Sequence, residues 1–414
     1  MPKVKATYKI LLLLSIMFLL SGCWDREELE DRAYVIGLGL DKSEKESNIK
    51  ITMLIANPEV GSIQGGGGST EQPKEIITFD ANDFITAKGT ANAVVSREIS
   101  YDLLKVIVVS EELAKDQSFF SWISSTLMDK QIRQDTYLAV SKESPEKYFL
   151  KNDPKMETRP HKYFQFMITH GIENGLIPDS TLFRFFITAD RGTDLFLAMY
   201  TTTEKEKNPP IKREDEYLAG QLDTTGEIDP TQFMGSAVFK NGVMIGTLNG
   251  QDTRVVNILD DTTNIKDILF NLPDPFSDKQ QLAARLLKTE NNQVEMNLKG
   301  VRPKITVTVP LQFVIMTNPS LTNYTSEKNQ QMIKQQMTDY LATTFEDFFK
   351  KTQKEFKAVP YPLSFHARRY FLTLQEYKEF NWTKSYVNAE VIVKPDIEIA
   401  DYGKYTSPPK SKEK

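Results

Sequence analysis

The chain has 414 residues, with 51 lysines and arginines against 56 aspartates and glutamates, 3 histidines, 1 cysteine and a formal net charge of −5. A mildly acidic chain with no basic stripe is ill suited to nucleic acid, whose binding depends on neutralising phosphates with Lys and Arg. With 40% hydrophobic residues, among them 24 phenylalanines, it can fill two or three cores, which excludes a disordered stalk and makes disulfide staples unnecessary.

Lys3, Lys5 and Lys9 precede the apolar run Ile10 to Leu20, and Leu20-Ser21-Gly22 leads into Cys23. A basic n-region, an apolar h-region and a small-residue junction form the pattern of a cleaved export signal over residues 1–22. Eleven helical residues extend about 16 Å, half of a hydrocarbon core of about 30 Å, so the run is too short to remain as a span. Leu-Ser-Gly-Cys is similar to the lipobox of bacterial lipoproteins, whose cysteine receives diacylglycerol and becomes the first residue of the mature chain. An exported protein with one thiol forms no internal disulfide, so Cys23 is expected to be lipidated; the plainer alternative is a secretory signal followed by a chance cysteine. Two acyl chains, at about 0.8 kcal/mol per buried methylene, hold a protein on a bilayer almost permanently. No later apolar run reaches transmembrane length, which leaves the lipid as the expected anchor.

Asp25 and Glu28 make a capping-box pattern ahead of a short charged helix over 25–31. Ala33 to Leu40 and Asn48 to Ala56 predict strands, and the small polar stretch Glu59 to Lys74, with Gly65 to Gly68, predicts a loop. Glu75 to Phe79 predicts a third strand. Phe84, Ala87, Ala91, Val94 and Val95 recur at helical spacing behind the cap candidate Asn82, and Leu103 to Val109 has the density of a strand buried on both faces. Helices are expected at Phe119 to Met128, Pro145 to Leu150 and Pro160 to Glu173, with a strand at Thr136 to Val140. This alternation predicts an N-terminal α/β domain over 23–200.

Thr201 to Glu216, with Pro209-Pro210 and many charges, cannot bury a core and is expected to be a linker over 201–216. Gly235 to Lys240 and Val243 to Gly246 flank Asn241-Gly242, the dipeptide suited to a type I′ hairpin turn. Asp252 is the expected cap of a helix carrying Val255, Val256, Ile258 and Leu259, giving a middle α/β domain over 217–300. Leu282 to Leu287 fits helix or strand equally. Ile305 to Met316 predicts a long strand, and from Ser326 to about Phe356 the residues Ile333, Met337, Tyr340, Leu341, Phe345, Phe348 and Phe349 trace one face of a helix about 45 Å long. A helix at Phe371 to Phe380 and a strand at Val387 to Ile399 complete a C-terminal domain over 301–402, followed by a tail over 403–414. The expected fold class is mixed α/β (α+β), with three sheet-and-helix domains behind a lipid anchor.

Candidate chemistry is sparse. His161 and His170 lie nine apart on one expected helix, neither the i+3 nor the i+4 spacing that turns two imidazoles toward one ion, and with His366 they are read as packing or surface residues. Gly65 to Gly68 lacks the Lys-Ser/Thr of a phosphate cradle, and Gly37-x-Gly39 lacks the third glycine of a dinucleotide turn. Asp260 with Asp261, and the acids over 25–31, lack calcium-loop spacing and are read as solvated faces. The aromatic stripes Tyr163, Phe164, Phe166 and Phe183, Phe185, Phe186 are read as core packing rather than the wall of a ligand pocket. No catalytic, cofactor-binding or metal-binding residue is assigned and no enzyme activity is expected; the one assigned site is lipidation at Cys23.

Cys23-Trp24-Asp25 with Glu28-Leu29, followed by Val35-Ile36-Gly37-Leu38-Gly39-Leu40-Asp41, resembles the opening of the Ger(x)C family. Phe233-x-Gly235-x-Ala237-Val238-Phe239-Lys240, with Gly246 behind it, resembles that family's central motif. Gln353-Lys354-Glu355-Phe356-Lys357-Ala358, then Trp382, Val391, Val393 and Ile397, is similar to its C-terminal region. Where the family pattern has an aspartate and a glycine-rich turn, this chain has Val359-Pro360-Tyr361-Pro362, so the shape and contacts of that loop are not carried over. The resemblance implies a three-domain lipoprotein, the C subunit of a spore nutrient germinant receptor, held by a diacylglyceryl anchor on the outer, extracytoplasmic face of the spore inner membrane. The implied partners are a polytopic A subunit and an integral-membrane B subunit; the implied role is assembly or signal relay, with contact to the small-molecule germinant left indirect. The alternative from the same anchor and aromatic runs is a solute-binding lipoprotein that captures the nutrient itself.

Overall fold

The computed structural model describes residues 31–56 and 74–402, apart from positions 210, 212, 267 and 301. The expected leader, Cys23, the charged helix over 25–31, the Gly65 to Gly68 loop and the tail over 403–414 lie outside the described residues.

The first sheet is built from β1 (Arg32–Lys42), β2 (Ile49–Ala56), β3 (Lys74–Ala81), the short β4 (Glu98–Ser100), β5 (Val106–Ser110), β6 (Tyr137–Ser141), β7 (Phe196–Thr202), β8 (Gln232–Lys240) and β9 (Val243–Leu248). Its order is β3-β2-β1-β5-β6-β7-β8-β9, with β4 beside β1. The centre, β1-β5-β6-β7, is parallel, and each flank is antiparallel. Six helices cover it: α1 (Thr86–Ala91), α2 (Glu111–Ala114), α3 (Phe119–Ser124), α4 (Pro145–Lys151), α5 (Pro160–Glu173) and α6 (Leu182–Arg191). Successive strand residues face opposite sides. Val35 and Val109 accordingly join one apolar cluster, while Ile36 and Val108 join another with Phe149 and Phe164. Both faces are buried, which is why β1 and β5 read as unbroken apolar runs.

Close approach of α4 explains Gly37-x-Gly39. A Cβ at Gly39 would lie 2.5 Å from Pro145 Cβ and 2.9 Å from Thr52 Cβ, and one at Gly37 would lie 2.8 Å from Phe149 Cζ. These glycines let a helix lie down on a strand. The hairpin turn is as expected, with φ of 51° at Asn241 and 81° at Gly242, the pair of positive values a type I′ turn requires.

Beyond the hairpin come α7 (Gly250–Leu259) and a second sheet of β10 (Ile268–Pro273), β11 (Gln281–Leu287), β12 (Gln293–Asn297), β13 (Lys304–Ile315) and β14 (Glu390–Asp401). The ambiguous segment at Leu282 is therefore a strand. β13 pairs antiparallel with β11 and β12 and parallel with β14. The parallel pairing requires a crossover, supplied by α8 (Glu327–Lys351), α9 (Leu363–Arg368), α10 (Leu374–Phe380) and α11 (Trp382–Asn388). The apolar face read along α8 is buried at six of its seven positions from Ile333 to Phe349, and Tyr340, at the edge of that face, is half-buried. The helix ends in a π-helical turn over Thr352–Phe356, and Lys357 reverses the chain at φ 54°.

Mixed α/β architecture is thus observed, but as two sheets rather than three domains each with its own. The expected middle domain is divided: its hairpin extends the first sheet through antiparallel β7-β8 pairing, and β10 and β11 belong to the second. The expected linker over 201–216 opens inside β7, where Thr201, Thr202 and Thr203 are buried. Its later residues pack against the body, with Asp215 on Arg254 of α7 at 3.2 Å and Arg213 on Tyr340 of α8. Charge composition correctly excluded a core there but carried no record of what the segment lies on. Two caps also differ. Asp83, not Asn82, accepts from the Ile85 and Thr86 amides at 2.8 Å each. Asn249, not Asp252, caps α7, and the Asp252 amide is its donor at 2.8 Å.

Gly39→Ala is expected to lower unfolding stability by about 1–3 kcal/mol through overpacking against Pro145. Gly89→Ala, inside α1 with nothing within 4 Å of the added carbon, is expected to raise it by about 0.5–1 kcal/mol. Urea melts of the mature chain read both, and a neutral Gly39→Ala would remove the close-approach explanation.

Candidate functional site

The two sheets meet where the hairpin receives the end of α8. Lys240, the last residue of β8, donates from Nζ to the Phe356 carbonyl at 3.1 Å. On the other strand of the hairpin, a Cβ at Gly246 would lie 2.9 Å from Phe356 Cε1, so the ring occupies space that only glycine leaves. The central and C-terminal motifs, more than a hundred residues apart in sequence, therefore touch through Lys240, Gly246 and Phe356. Behind Phe356, Gln353 donates to the Tyr386 and Ala389 carbonyls at 2.8 and 2.9 Å, and Thr352 and Tyr386 share a hydroxyl hydrogen bond of 2.6 Å. Trp382 is buried against Tyr386, with ring centroids 5.9 Å apart. Tyr386 of α11 and the Ala389 carbonyl thus hold the π-helical turn in the position that Gly246 accepts.

Further links reinforce the junction. Lys351 of α8 pairs with Asp252 of α7 at 2.6 Å. The Leu195 amide, just ahead of β7, donates to the Val359 carbonyl at 2.9 Å, and Asp194 accepts from the Ser364 hydroxyl. The Arg191 guanidinium sits 4.8 Å from the Phe365 ring centroid. Val359-Pro360-Tyr361-Pro362, the stretch that departs from the family pattern, is built into this contact: Val359 and Tyr361 are buried, and Tyr361 meets Phe349 ring to ring at 6.2 Å. One continuous apolar cluster runs from Leu195, Leu197, Val238 and Leu248 of the first sheet to Phe313 and Phe345 on the second.

Beside the junction lies a cavity of about 760 Å³ walled by α6, the end of α7, Asn292 and the segment from Pro360 to Arg369. Arg184 organises one wall, bonded at 3.0 Å each to Asp179 and Asp260 and at 2.9 Å to the Thr262 carbonyl. At the back, Asp194 Oδ1, Tyr361 Oη and Asn292 Oδ1 are buried without a hydrogen-bond partner. Burial pushes the Asp194 carboxyl up to about 7, against the bond it accepts from Ser364. Burial, with Arg369 adding to it, lowers His366 on the opposite wall. The cavity offers a carboxyl that titrates near neutrality, paired cations and two exposed rings, Phe183 and Phe365.

The other candidates read from sequence do not converge. His161 and His170 lie on α5, where His170 stacks on Phe166 at 6.2 Å, away from His366 on α9. Among the described residues no three His, Cys, Asp or Glu side chains are grouped to hold a metal ion. Tyr163, Phe164 and Phe185 are core residues, whereas Phe183 is exposed on the cavity wall. Asp194 carried no sequence signal beyond an acid immediately before an apolar run. Asp260 and Asp261, read as a solvated pair, are held instead by Arg184 and by Lys288 at 3.0 and 2.5 Å.

Phe356→Ala should remove about 3–5 kcal/mol of stability, as expected for emptying a buried aromatic site, and the loss should appear in unfolding of both sheets. A loss confined to the second sheet would contradict the junction. Asp194 gives a second test. With a folded pKa near 7 against 3.8 unfolded, the carboxyl contributes stability that is complete below about 3.8 and declines as pH rises toward 7. Asp194→Asn, which stays neutral and can still accept from Ser364, should gain on the native chain between those values and hold that gain above them. A pH-independent difference in denaturant melts would contradict the assignment.

Residues 25–202 match the spore germination protein N-terminal domain, and residues 234–403 match the spore germination B3/GerAC-like C-terminal domain. The chain is 30% identical to spore germination protein KC of Bacillus subtilis (strain 168), over 33% of this chain and 34% of that protein. It is 22% identical to the putative spore germination protein YfkR of the same organism over 96% of this chain and 97% of that one. To spore germination protein A3, also from that organism, it is 27% identical over 35% of this chain and 38% of that protein. The matched stretch thus spans about a third of KC and A3 and nearly all of YfkR. The crystal structure of the GerBC protein shares the fold, with a TM-score of 0.53 at 15% identity, covering 91% of this chain and all of that one. With both halves matched in order and the central and C-terminal motifs meeting at one junction, the chain belongs to the Ger(x)C family of spore germination proteins.

Proposed function

We propose that this protein is the lipid-anchored C subunit of a nutrient germinant receptor. It would act on the extracytoplasmic face of the spore inner membrane with the A and B membrane subunits, in assembly or signal relay and without a catalytic step. The observation that carries the proposal is the family match to both halves of the chain, residues 25–202 and 234–403. The export pattern at Lys3 to Cys23 supports the anchor. Among the described residues no helix is long and apolar enough to cross a membrane, so a tether is what would keep this body beside membrane subunits. The junction supports relay, because a load on one sheet passes through Phe356 and α8 to the other without crossing a flexible connection.

A second reading, capture of the nutrient by this chain, is favoured by the cavity of about 760 Å³, which is of ligand-binding size. The walls come from unlike lobes, a 9-stranded and a 5-stranded sheet, rather than from the similar pair that a hinged solute binder would use.

In a strain lacking redundant receptors, deleting the gene or introducing Cys23→Ala should abolish or weaken germination by one nutrient class and leave germination by a chelate or a surfactant intact. An unimpaired nutrient response would rule out the receptor role. Calorimetry of the mature chain with amino acids and sugars decides the second reading: silence is expected, and a specific heat of binding would move recognition onto this subunit.

A further inference from the structure

Exposed apolar side chains lie at the end of the first sheet where the chain enters it at Arg32. Arg32, where β1 begins, donates from Nη1 to Asp102 Oδ2 at 2.7 Å, and the next residue, Leu103, is 46% exposed. From there a hydrogen-bonded path leads outward: the Tyr101 amide donates to Gln131 Oε1 at 3.3 Å, and Lys88 Nζ reaches both Gln131 and Asp129, at 3.0 and 2.8 Å. Asp129 follows Leu127 and Met128, which are 52% and 79% exposed, and Val94, in the turn three residues past the end of α1, the helix bearing Lys88, is 76% exposed. Four large apolar side chains therefore stand in water at the end of the sheet where β1, β4 and β5 begin. Burying even one of them is worth about 1.5–3 kcal/mol, so such a group is costly unless something covers it.

We propose that this patch, Val94, Leu103, Leu127 and Met128, docks onto the surface of the lipid bilayer and sets the orientation of the body on the membrane. The inference rests on the anchor reading of Cys23. Eight residues lie between Cys23 and Arg32, so an acylated Cys23 holds Arg32 within about 30 Å of the headgroups even with the connection fully extended. The patch and the point where that connection enters the fold share one end of the sheet, so the tether holds this end toward the bilayer. Its charges nearly balance, with Glu98 of β4 the exposed acid at the same end of the sheet. The carboxylates of Asp102, Asp129 and Asp135 are already occupied by Arg32, Lys88 and Arg133, while Lys105 and Lys130 border the patch. The far end of β1, ten residues on, lies about 33 Å away and carries the turn into β2.

Because Cys23 is the only cysteine, the mature chain beginning at Cys23 can be coupled through its thiol to a maleimide phospholipid, which rebuilds the tether whether or not the cell acylates it. Hydrogen–deuterium exchange is then compared between chain coupled to phosphatidylcholine–phosphatidylglycerol vesicles and uncoupled chain. The amides over 93–105 and 125–133 should exchange on the order of tenfold more slowly when coupled, while those of the β1-β2 turn at 43–48 should not change. The double variant Leu103→Asp with Met128→Asp, both at exposed positions, should lose the protection while remaining coupled and folded. Equal exchange with and without vesicles, protection at both ends of β1, or protection that survives the double variant would each overturn the proposal. Protection that appears only when membrane subunits are added would assign the patch to a protein partner instead and overturn it as well. Mass measurement of the native protein reads the acylation of Cys23 separately, so a bare thiol would defeat the anchor reading while the vesicle result still decides the patch.

Discussion

The contact that the rest of this structure depends on is one aromatic ring seated on one glycine. Phe356 lies where Gly246 has no side chain, and Lys240 on the neighbouring strand fixes the Phe356 carbonyl. With that turn in place, the end of α8 is fixed, and with it the crossover that lets β14 run parallel to β13. The apolar cluster spanning both sheets, the buried Val359-to-Pro362 stretch and the neighbouring cavity all lie downstream of that contact.

Local patterns were read well where a local rule determines the outcome. The Asn241-Gly242 turn, the buried face of α8 and the extent of α5 follow from backbone sterics and from helical and strand periodicity, and each was legible. Long-range pairing was not. β7 and β8 are neighbours although 29 residues separate Thr202 from Gln232, and the charged stretch between them resembles an interdomain linker in every compositional respect. For that reason composition places a domain boundary inside what is a single extended sheet. The caps show the same limit on a smaller scale, since Asn82 and Asp83 are equally plausible acceptors and only the backbone path selects the second.

The site was legible in its parts but not in its assembly. Lys240, Gly246 and Phe356 all stand in stretches that carry the family resemblance, yet nothing in their spacing says that they touch. Asp194 and Tyr361 had no signal at all, because their character comes from burial by segments remote in sequence: Asp194 meets Ser364, and Tyr361 meets Phe349. The departure from the family pattern at Val359 to Pro362 was visible. That it fills the seam between the sheets was not.

A family member with two sheets locked through motif residues is built to behave as one body, and that is the property the proposed relay role needs. Differential scanning calorimetry of the mature chain tests that claim most directly. A single unfolding transition, with calorimetric and van't Hoff enthalpies equal, is the predicted result. Two separated transitions, one for each sheet, would show that the halves fold and move independently and would contradict the account.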